Sequence, residues 1–258
     1  MMSQVSHPVL DVDDVQVHYG GVRAVDGVSF EVWPGELVGI VGPNGSGKTT
    51  LVNAITALTH TTAGEIRVNG EVVTKLGAPR IARLGVRRTF QAIRLLPDLT
   101  VVENVMLGAD DGGRPLDVAF RPFRAAKSQR RARAAALASL ERVGMVEYAE
   151  LLPDALPYGF QRRVEIARAL ASSPALLLLD EPVAGMNPRE REEVSELLLN
   201  LRSEGLTQLL IEHDLGLVTR VSNRIVVVDF GKVIATGDPV ETIRDERVRE
   251  AYLGRKNA

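Results

Sequence analysis

The stretch GPNGSGKTT (residues 42–50) lies between the apolar run LVGIV (37–41) and TTLVNAITALT (49–59), whose apolar residues recur at helical spacing. It fills every fixed position of a phosphate-binding loop, G-x-x-x-x-G-K-[ST], with Gly42, Gly47, Lys48 and Thr49. In such a loop the glycines let backbone N–H groups surround the β- and γ-phosphates, the lysine adds positive charge, and the hydroxyl coordinates Mg²⁺. An ordinary glycine-rich turn is the alternative, but it leaves the complete pattern and its strand-loop-helix context unexplained. The stretch therefore predicts an α/β fold in which a sheet positions this loop.

A phosphate-binding loop needs an acidic partner on a neighbouring strand, and PALLLLDEP (174–182) supplies two carboxylates at one strand end. This run and TQLLIEHD (207–214) are short, unbroken and apolar, which is typical of strands buried on both faces of a parallel sheet. We expect Asp180 to hold Mg²⁺ through water and Glu181 to polarise the attacking water as general base. The alternative for Glu181 is a cap on the helix that follows Pro182.

Two further polar residues are candidates for the same chemistry. His213 ends the second apolar run, from which it would reach the γ-phosphate and hold the water and Glu181 in line. The alternative for His213 is a structural hydrogen-bonding group. Gln91 lies where the first part of the core gives way to helical segments, and its amide would contact Mg²⁺ or the water. The alternative for Gln91 is an ordinary surface position.

Near the N-terminus, the alternation of apolar and polar residues predicts a second sheet. VLDVDDVQVHY (9–19) is typical of a strand, and GVSFEVWPGELVGIVG (27–42) of two strands joined by a Pro-Gly turn. The pair Asn69-Gly70 predicts a hairpin. RIVVVDFGKVIATG (224–237) predicts another hairpin near the C-terminus.

The middle of the chain differs from the rest in its residue pattern and composition. Residues 92–158 have a mainly helical pattern, with an alanine- and arginine-rich centre, so we expect them to form an inserted helical subdomain. Residues 1–91 and 159–258 would then supply the β subdomain and the core of a single domain spanning 1–258.

The composition excludes several classes of protein. Lys and Arg number 31 against 33 Asp and Glu, so the net charge of −2 gives no general attraction to nucleic acid. One Trp, four Tyr and six Phe are too few for a base-stacking surface, and the absence of cysteine excludes disulfides and thiolate metal sites. No apolar run approaches the ~20 residues that cross a bilayer, and residues 1–12 lack the pattern of a signal peptide. The sequence therefore predicts a soluble cytoplasmic chain that binds no nucleic acid.

The segment ALPYGFQRRVEIARAL (155–170) predicts a helix that begins abruptly, because Pro157 and Gly159 interrupt the chain before the helical spacing starts. A helix N-terminus carries free N–H groups and a partial positive charge, so it can hold an anion. These residues alone leave the identity of that anion open.

In chain order, Tyr19, GPNGSGKTT, Gln91, YGFQRRVEIARAL, LLLLDEP, AGMNP and His213 resemble the motifs of the ATP-binding cassette (ABC) ATPases over nearly the whole chain. The resemblance implies a P-loop NTPase fold: a RecA-like parallel sheet core, an N-terminal antiparallel β subdomain and an inserted α-helical subdomain. It implies ATP and Mg²⁺ as cofactors, and catalysis by Glu181, His213 and Gln91. The implied ATP-binding residues are Tyr19, Gly42, Pro43, Asn44, Gly45, Ser46, Gly47, Lys48, Thr49 and Thr50. The implied Mg²⁺ ligands are Thr49, Gln91 and, through water, Asp180.

By the same resemblance, Tyr19 would stack on adenine. The alternative is an edge residue, since a lone tyrosine at a strand end needs no ligand.

ATPases of this family work as head-to-tail dimers, in which a signature helix, usually beginning Leu-Ser-Gly-Gly-Gln, caps the ATP held by the other subunit. The anion at the predicted helix start would then be the partner's ATP. The implied contacts are Pro157, Tyr158, Gly159, Phe160 and Gln161. Pro157 replaces the usual serine, and losing a charge-assisted hydrogen bond costs about 1.5–3 kcal/mol.

We therefore expect this chain to hold its own nucleotide competently but to cap the partner's ATP only weakly. Such asymmetry suits a heterodimer with a second ABC ATPase, and a homodimer is the alternative. In the other interpretation of this helix start, Tyr158 and Phe160 simply pack the helical subdomain.

Within the family, EIARAL, EPVAGMNP, LIEHD and the ending ATGDPVETIRDERVREAYLG most resemble the larger ATPase of bacterial branched-chain amino-acid importers. Phe160 departs from that pattern, in which glutamine is more often seen. The resemblance implies a peripheral subunit on the cytoplasmic face of the cell membrane, two membrane permease subunits as partners, and a periplasmic or extracellular solute-binding protein as an indirect one. The alternatives are a lipopolysaccharide-export ATPase and an amide or urea importer.

Two other classes of protein share the phosphate-binding loop. ABC ATPases of DNA repair or translation usually carry a long coiled-coil insert, a zinc hook or two cassettes, and this sequence has none of these. A small-molecule kinase would need an acceptor pocket and a lid in place of the signature helix. Co-purification with membrane subunits favours the transporter, whereas phosphorylation of an added metabolite favours the kinase.

Overall fold

The structure, a computed structural model, describes residues 7–109 and 122–253. These residues divide into two compact units. The first contains the described residues up to Arg88, then 175–181 and those from Leu198 onward. The second contains the described residues of Thr89–Pro174, together with Pro182–Leu197.

The strands that the structure describes all lie in the first unit. They are β1 (Leu10–Tyr19), β2 (Val22–Val32), β3 (Leu37–Val41), β4 (Ala63–Val68), β5 (Glu71–Val72), β6 (Val86–Arg88), β7 (Leu176–Asp180), β8 (Gln208–Ile211), β9 (Arg224–Asp229) and β10 (Lys232–Gly237). The α-helices in the described residues are α1 (Lys48–Ile55), α2 (Ala78–Arg83), α3 (Val101–Met106), α4 (Pro122–Arg142), α5 (Tyr158–Leu170), α6 (Pro188–Ser203), α7 (Leu215–Val221), α8 (Pro239–Arg244) and α9 (Glu246–Leu253). Helices α3, α4, α5 and most of α6 belong to the second unit. In the part of the chain that the structure describes, no helix combines the length and apolar character that crossing a membrane requires.

A six-stranded sheet forms the centre of the first unit, in the order β10-β9-β3-β8-β7-β6. The pairs from β9 to β6 are parallel, and β10 pairs with β9 as the antiparallel hairpin expected from the sequence. Every residue of β3, β7 and β8 is buried, which explains the unbroken apolar runs. The parallel core predicted from the sequence is therefore confirmed.

The second sheet is antiparallel, in the order β2-β1-β4-β5. Asn69 and Gly70 connect β4 to β5 with positive φ angles of 49° and 79°, as a type I′ hairpin turn requires. The Pro-Gly turn also forms, because Gly35 has φ 74° and the N–H of Glu36 donates to the carbonyl of Trp33 at 3.0 Å. The two strands it joins belong to different sheets, so the turn carries the chain from the antiparallel sheet to the parallel one.

The hydrophobic core of the first unit is shared by both sheets and α1. It includes Val12 and Val28 of the antiparallel sheet, Leu51 of α1, and Ile40 and Leu178 of the parallel sheet, all nearly inaccessible to solvent. Burying such a side chain stabilises the fold by about 1.5–3 kcal/mol. The start of α1, which follows the phosphate-binding loop, is thus fixed by packing on its apolar face.

The second unit is helical, and hydrogen bonds from polar side chains hold its loops in place. Thr100 and Glu103 form a capping box at the start of α3. The buried amide of Asn104 donates to the carbonyls of Leu96 and Leu99, both at 3.0 Å, and so holds the loop before the helix.

This unit extends beyond the insert expected at residues 92–158. It begins at Thr89 and includes α5, because a Cβ added to Gly108, just after α3, would lie 1.8 Å from the carbonyl of Arg168 in α5. It also includes the start of α6, where the side chain of Glu190 packs against Gly159. These contacts join segments that are remote in sequence, so the pattern of residues 92–158 gave no sign of them.

Candidate functional site

The phosphate-binding loop joins β3 to α1, and two of its glycines have no room for a side chain. Gly47 has φ 105°, and a Cβ there would lie 2.2 Å from the carbonyl oxygen of Ala24. A Cβ on Gly42 would lie 2.0 Å from the carbonyl oxygen of Val228. Both positions therefore require glycine for close approach of backbone to backbone.

Lys48 is the first residue of α1, yet its side chain folds back over the loop. The ammonium donates to the carbonyl oxygens of Gly42 at 2.7 Å and Pro43 at 2.9 Å, and lies 3.4 Å from Oγ of Ser46. The charge is therefore held over the loop itself, where a bound phosphate would meet it.

The loop residues and the start of α1 also suit an anion. Asn44, Gly45 and Thr49 are exposed, whereas Ser46 is buried and Thr50 is half-buried. The first turn of α1 contains no acidic side chain that would compete for its N–H groups. These groups and the positive end of the helix dipole favour a phosphate next to the loop.

Asp180 forms a buried ion pair at the end of β7. Its Oδ2 atom lies 2.6 Å from Nη2 of Arg88, and each side chain is only 8% exposed. Arg88 also donates to Oδ1 of Asn53, on α1, at 2.7 Å. Arg88 was not predicted from the sequence, because no local pattern around it indicates this contact.

Glu181 follows β7 with an unusual backbone. Its φ of 46° is left-handed, and its N–H donates to the carbonyl of Ile211 at 2.9 Å, which holds that conformation. Such a non-glycine residue costs about 1–3 kcal/mol, and residues of this kind cluster at active sites. Glu181 shares this conformation with five other described non-glycine residues, so the backbone is compatible with a functional role, and the neighbours of its side chain carry the assignment.

His213 lies beside Glu181. Its Nδ1 atom is 3.9 Å from Oε1 of Glu181 and 3.7 Å from Oε2 of Glu212. The His213 side chain is 59% exposed and that of Glu181 is 23% exposed, so both are open to a ligand, whereas Glu212 is fully buried. Glu212 was not predicted from the sequence, although its place directly after an apolar strand and beside His213 was a usable signal.

These positions meet at one edge of the parallel sheet. Ile40 and Asp180 both pair with Ile211, so β3 and β7 end at nearly the same level. Residues that follow the carboxyl ends of neighbouring parallel strands share that edge, where α/β folds bind their ligands. The first unit thus brings together the phosphate-binding loop, Asp180, Glu181 and His213.

Tyr19 stands at the end of β1, opposite Val22 in the hairpin to β2. Its side chain is 52% exposed, and its hydroxyl forms a hydrogen bond of 2.8 Å with Oγ1 of Thr59. The ring is therefore fixed at its hydroxyl while much of it stays accessible, an arrangement that fits both a stacking residue and an edge residue.

Gln91 belongs to the second unit, and its side chain is exposed. Its backbone is held by Arg162 of α5, a fully buried side chain that donates to the carbonyls of Phe90 and Gln91. Arg162 is paired with Glu165 at 2.8 Å, and Glu165 accepts from the N–H of Arg94 at 2.8 Å. Helix α5 therefore fixes the backbone on both sides of the Gln91 side chain.

Glu165 is a buried carboxylate that depends on these partners. Burial raises the pKa of Glu165, and the N–H of Arg94 and the guanidinium groups of Arg162 and Arg168 oppose that rise. Removing one member of a buried ion pair costs about 3–5 kcal/mol of stability, because the other charge is left unpaired. The network therefore holds α5 and the segment around Gln91 together.

Residues 157–161 form the cap and first turn of α5. Pro157 is the N-cap, with φ −55° and ψ 154°, and its carbonyl accepts from the N–H groups of Phe160 at 3.0 Å and Gln161 at 3.1 Å. Pro157 and Tyr158 are exposed, whereas Gly159 is buried. The abrupt helix start predicted from the sequence is therefore present, and its exposed end carries the free N–H groups of a first turn.

Phe160 turns into the second unit. Its ring meets that of Tyr148 edge-on, with centroids 5.2 Å apart, and the guanidinium of Arg163 lies 5.6 Å from its centroid. The amide of Gln161 donates to the carbonyl of Leu156 at 3.0 Å. The packing interpretation thus applies to Phe160, while Tyr158 remains 42% exposed.

Comparison with known proteins agrees with this geometry. The family model described as "ABC transporter" matches residues 25–184. The chain is 42% identical over 255 residues to the high-affinity branched-chain amino acid transport ATP-binding protein LivG of Escherichia coli K12, covering 97% of this chain and 99% of LivG.

Solved structures are similar as well. The ADP conformation of MJ1267, an ATP-binding cassette of an ABC transporter, superposes with a TM-score of 0.85 at 31% identity, covering 96% of this chain and all of MJ1267. The ATP-binding cassette MJ0796, in a dimeric post-hydrolysis state bound to ADP and Pi, has a TM-score of 0.71 at 28% identity, covering 89% and 98% of the two chains.

Proposed function

This chain belongs to the ABC transporter family of ATP-binding cassettes, and on that premise we propose that it is the ATPase subunit of a branched-chain amino-acid importer. The observation that carries the ATPase chemistry is the meeting of the phosphate-binding loop with Asp180, strained Glu181 and His213 at one sheet edge. The identity with LivG over nearly the whole of both chains supports the choice of amino-acid import.

Mg²⁺ is the proposed metal, and the residues present fit it. The hydroxyl of Thr49, an exposed residue, and the carboxylate of Asp180 are oxygen donors, which Mg²⁺ prefers, and we propose the Gln91 amide as a third ligand. Within residues 7–109 and 122–253 no group of three or more His, Cys, Asp and Glu would hold a metal by itself. A site that also uses a hydroxyl and phosphate oxygens accounts for this. When bound, the ion neutralises charge on the β- and γ-phosphates.

In the proposed reaction, water attacks the γ-phosphorus and the bond to the β–γ bridging oxygen breaks. Glu181 accepts the proton of that water as general base. His213, beside Glu181, donates a hydrogen bond to a γ-phosphate oxygen and keeps the water in line. Lys48 binds the β- and γ-phosphates, and Tyr19 stacks on the adenine.

We propose that each ATP-binding site is completed by a second ABC ATPase subunit, whose signature helix contacts the γ-phosphate. In this chain that surface is the exposed first turn of α5, including Pro157 and Tyr158. The dimeric form of MJ0796 is consistent with such an assembly. Because Pro157 lacks the usual hydroxyl and Phe160 is packed on Tyr148, this chain offers a weak cap, which favours a heterodimer.

Restoring the hydroxyl tests that cap. Pro157→Ser is expected to raise the ATPase rate of the assembled transporter about tenfold, as expected from one added charge-assisted hydrogen bond of roughly 1.5 kcal/mol. The φ and ψ of Pro157 suit serine as an N-cap, so the change fits the backbone.

Pro157→Ala is the matched control for this test, because it removes the ring without adding a hydroxyl. Thermal unfolding of both variants separates better helix capping from a better ATP contact. Equal rates in the serine, alanine and original proteins would assign this turn to packing alone.

We propose that the second unit docks on two membrane permease subunits at the cytoplasmic face of the membrane. ATP binding closes the dimer, and hydrolysis releases it, which gives the differential binding energy that a change of permease state requires. Gln91 transmits nucleotide binding to the rest of the second unit, because Arg162 of α5 holds the Gln91 backbone. The solute reaches the permease from a periplasmic or extracellular binding protein and never meets this chain.

Isolation from native membranes tests the transport assignment. We expect the tagged protein to co-purify with two hydrophobic permease subunits and a second ATPase, and its ATP hydrolysis in vesicles to rise with leucine, isoleucine or valine and their binding protein. Stimulation by lipopolysaccharide, or by an amide or urea, would replace this assignment with another ABC system. Recovery without membrane subunits would contradict transport itself.

A further inference from the structure

Arg88 is a buried charge that the proposed reaction does not use. It is the last residue of β6, the edge strand of the parallel sheet, and only 8% of its side chain is exposed. A buried guanidinium loses much of its hydration, so its partners determine what it does.

Arg88 has side-chain partners on two different elements. Nη2 lies 2.6 Å from Oδ2 of Asp180, at the end of β7. Nη1 donates to Oδ1 of Asn53, in the C-terminal half of α1, at 2.7 Å and lies 3.3 Å from Oγ1 of Thr56, the C-cap residue that follows the helix. One planar group therefore links the acidic end of β7 to the helix that starts at the phosphate-binding loop.

This link joins the two elements that carry the proposed metal ligands of the first unit. Thr49 lies one helical turn before Asn53, and Asp180 is itself the partner of Arg88. Through these contacts Arg88 fixes the carboxylate relative to α1.

We propose that Arg88 is a positioning residue for Mg²⁺: it holds the carboxylate of Asp180 in place relative to Thr49 and keeps it ready for a metal-bound water. This inference rests on the proposed function. Arg88 engages the Oδ2 atom of Asp180, and a carboxylate offers about four acceptor sites over its two oxygens, so the group has capacity for both partners.

Holding the strands together is the competing role for Arg88. Yet β6 and β7 are already joined by backbone pairing, from Val86 with Leu176 to Arg88 with Leu178. The side-chain contact with α1 adds nothing to that ladder. It is explained by orientation of Asp180, as outer-sphere partners orient metal ligands elsewhere.

The test measures metal dependence of binding, without turnover. Binding of a non-hydrolysable ATP analogue is followed by calorimetry in EDTA and over a series of Mg²⁺ concentrations, for Arg88→Gln and Arg88→Lys. We expect the Mg²⁺ concentration for half-maximal enhancement to rise by about 10–100-fold in Arg88→Gln and less in Arg88→Lys, which keeps the charge but loses the fork. Affinity in EDTA should stay unchanged, because the loop and Lys48 remain.

Arg224→Gln is the matched control, since Arg224 is a partly buried arginine paired with Glu36 at 2.9 Å at the opposite end of the sheet. It should leave the Mg²⁺ dependence as it was. If Arg88→Gln does not fold, the Mg²⁺ dependence of analogue binding by Arg88→Lys tests the inference.

Unchanged Mg²⁺ dependence in a folded Arg88 variant would show that the pair is only structural, and a lower half-maximal concentration would show that Arg88 competes with the metal. Either result overturns the inference while the proposed function stands. Original protein that binds the analogue with no Mg²⁺ enhancement would instead contradict the proposed function and, with it, the role of Arg88.

Discussion

Glu181→Gln is expected to abolish ATP turnover, lowering it by about 10²–10⁴-fold, while ATP binding stays intact. The amide keeps the size of the carboxylate but cannot accept the proton of the attacking water. The left-handed backbone at φ 46° is equally unfavourable for either side chain, so the substitution changes the chemistry and leaves the strain as it is. ATP that binds without being hydrolysed should also trap the dimer. Phosphate release and size-exclusion chromatography with ATP measure the two effects.

Glu36→Gln is the control for that experiment. Glu36 is a paired carboxylate at the opposite end of the parallel sheet, where it binds Arg224, so its loss should leave turnover unaffected. Turnover that survives Glu181→Gln would mean that Glu181 is not the base. Its strained backbone would then need another explanation, with a helix cap as the first candidate.

Lys48→Ala should weaken ATP binding itself, by about 10–100-fold, since a hydrogen bond to a charged group contributes roughly 1.5–3 kcal/mol. In the structure the ammonium is held at the loop by the carbonyls of Gly42 and Pro43, so its charge already lies beside the proposed phosphate site. Calorimetry with a non-hydrolysable analogue checks the affinity.

Lys232→Ala removes a lysine that is 62% exposed and paired with Asp26, so it controls for the general loss of one positive charge. It should bind nucleotide like the original protein. If Lys48→Ala binds the analogue as tightly as that control, while thermal unfolding shows both to be folded, the phosphate-binding loop is misassigned.

Much of the core was predictable because the signals are local. The apolar runs before Gly42 and after Pro174, the Asn69-Gly70 turn and the interrupted helix start at Pro157 each depend on neighbouring residues, and each forms as expected. The phosphate-binding loop has the same character, since its fixed glycines are explained by crowding at Gly42 and Gly47.

The rest depended on contacts between remote segments. Arg88 and Asp180 are 92 positions apart, so nothing near Arg88 indicates its partner. The second unit is larger than the expected insert because it includes α5, where Gly108 lets the end of α3 approach Arg168. Nothing in the sequence indicates the buried pair of Arg162 and Glu165, because helical spacing gives no sign that carbonyls from another segment complete it.

The central claim is that the triphosphate is held by the first unit of one chain and closed by the start of α5 in its partner. A crystal structure of the assembled transporter carrying Glu181→Gln, with ATP and Mg²⁺, tests it most directly. We expect ATP on the phosphate-binding loop of each ATPase, with the partner's signature helix within hydrogen-bond distance of the γ-phosphate. ATP fully enclosed by a single chain, with residues 157–161 remote from every γ-phosphate, would contradict it.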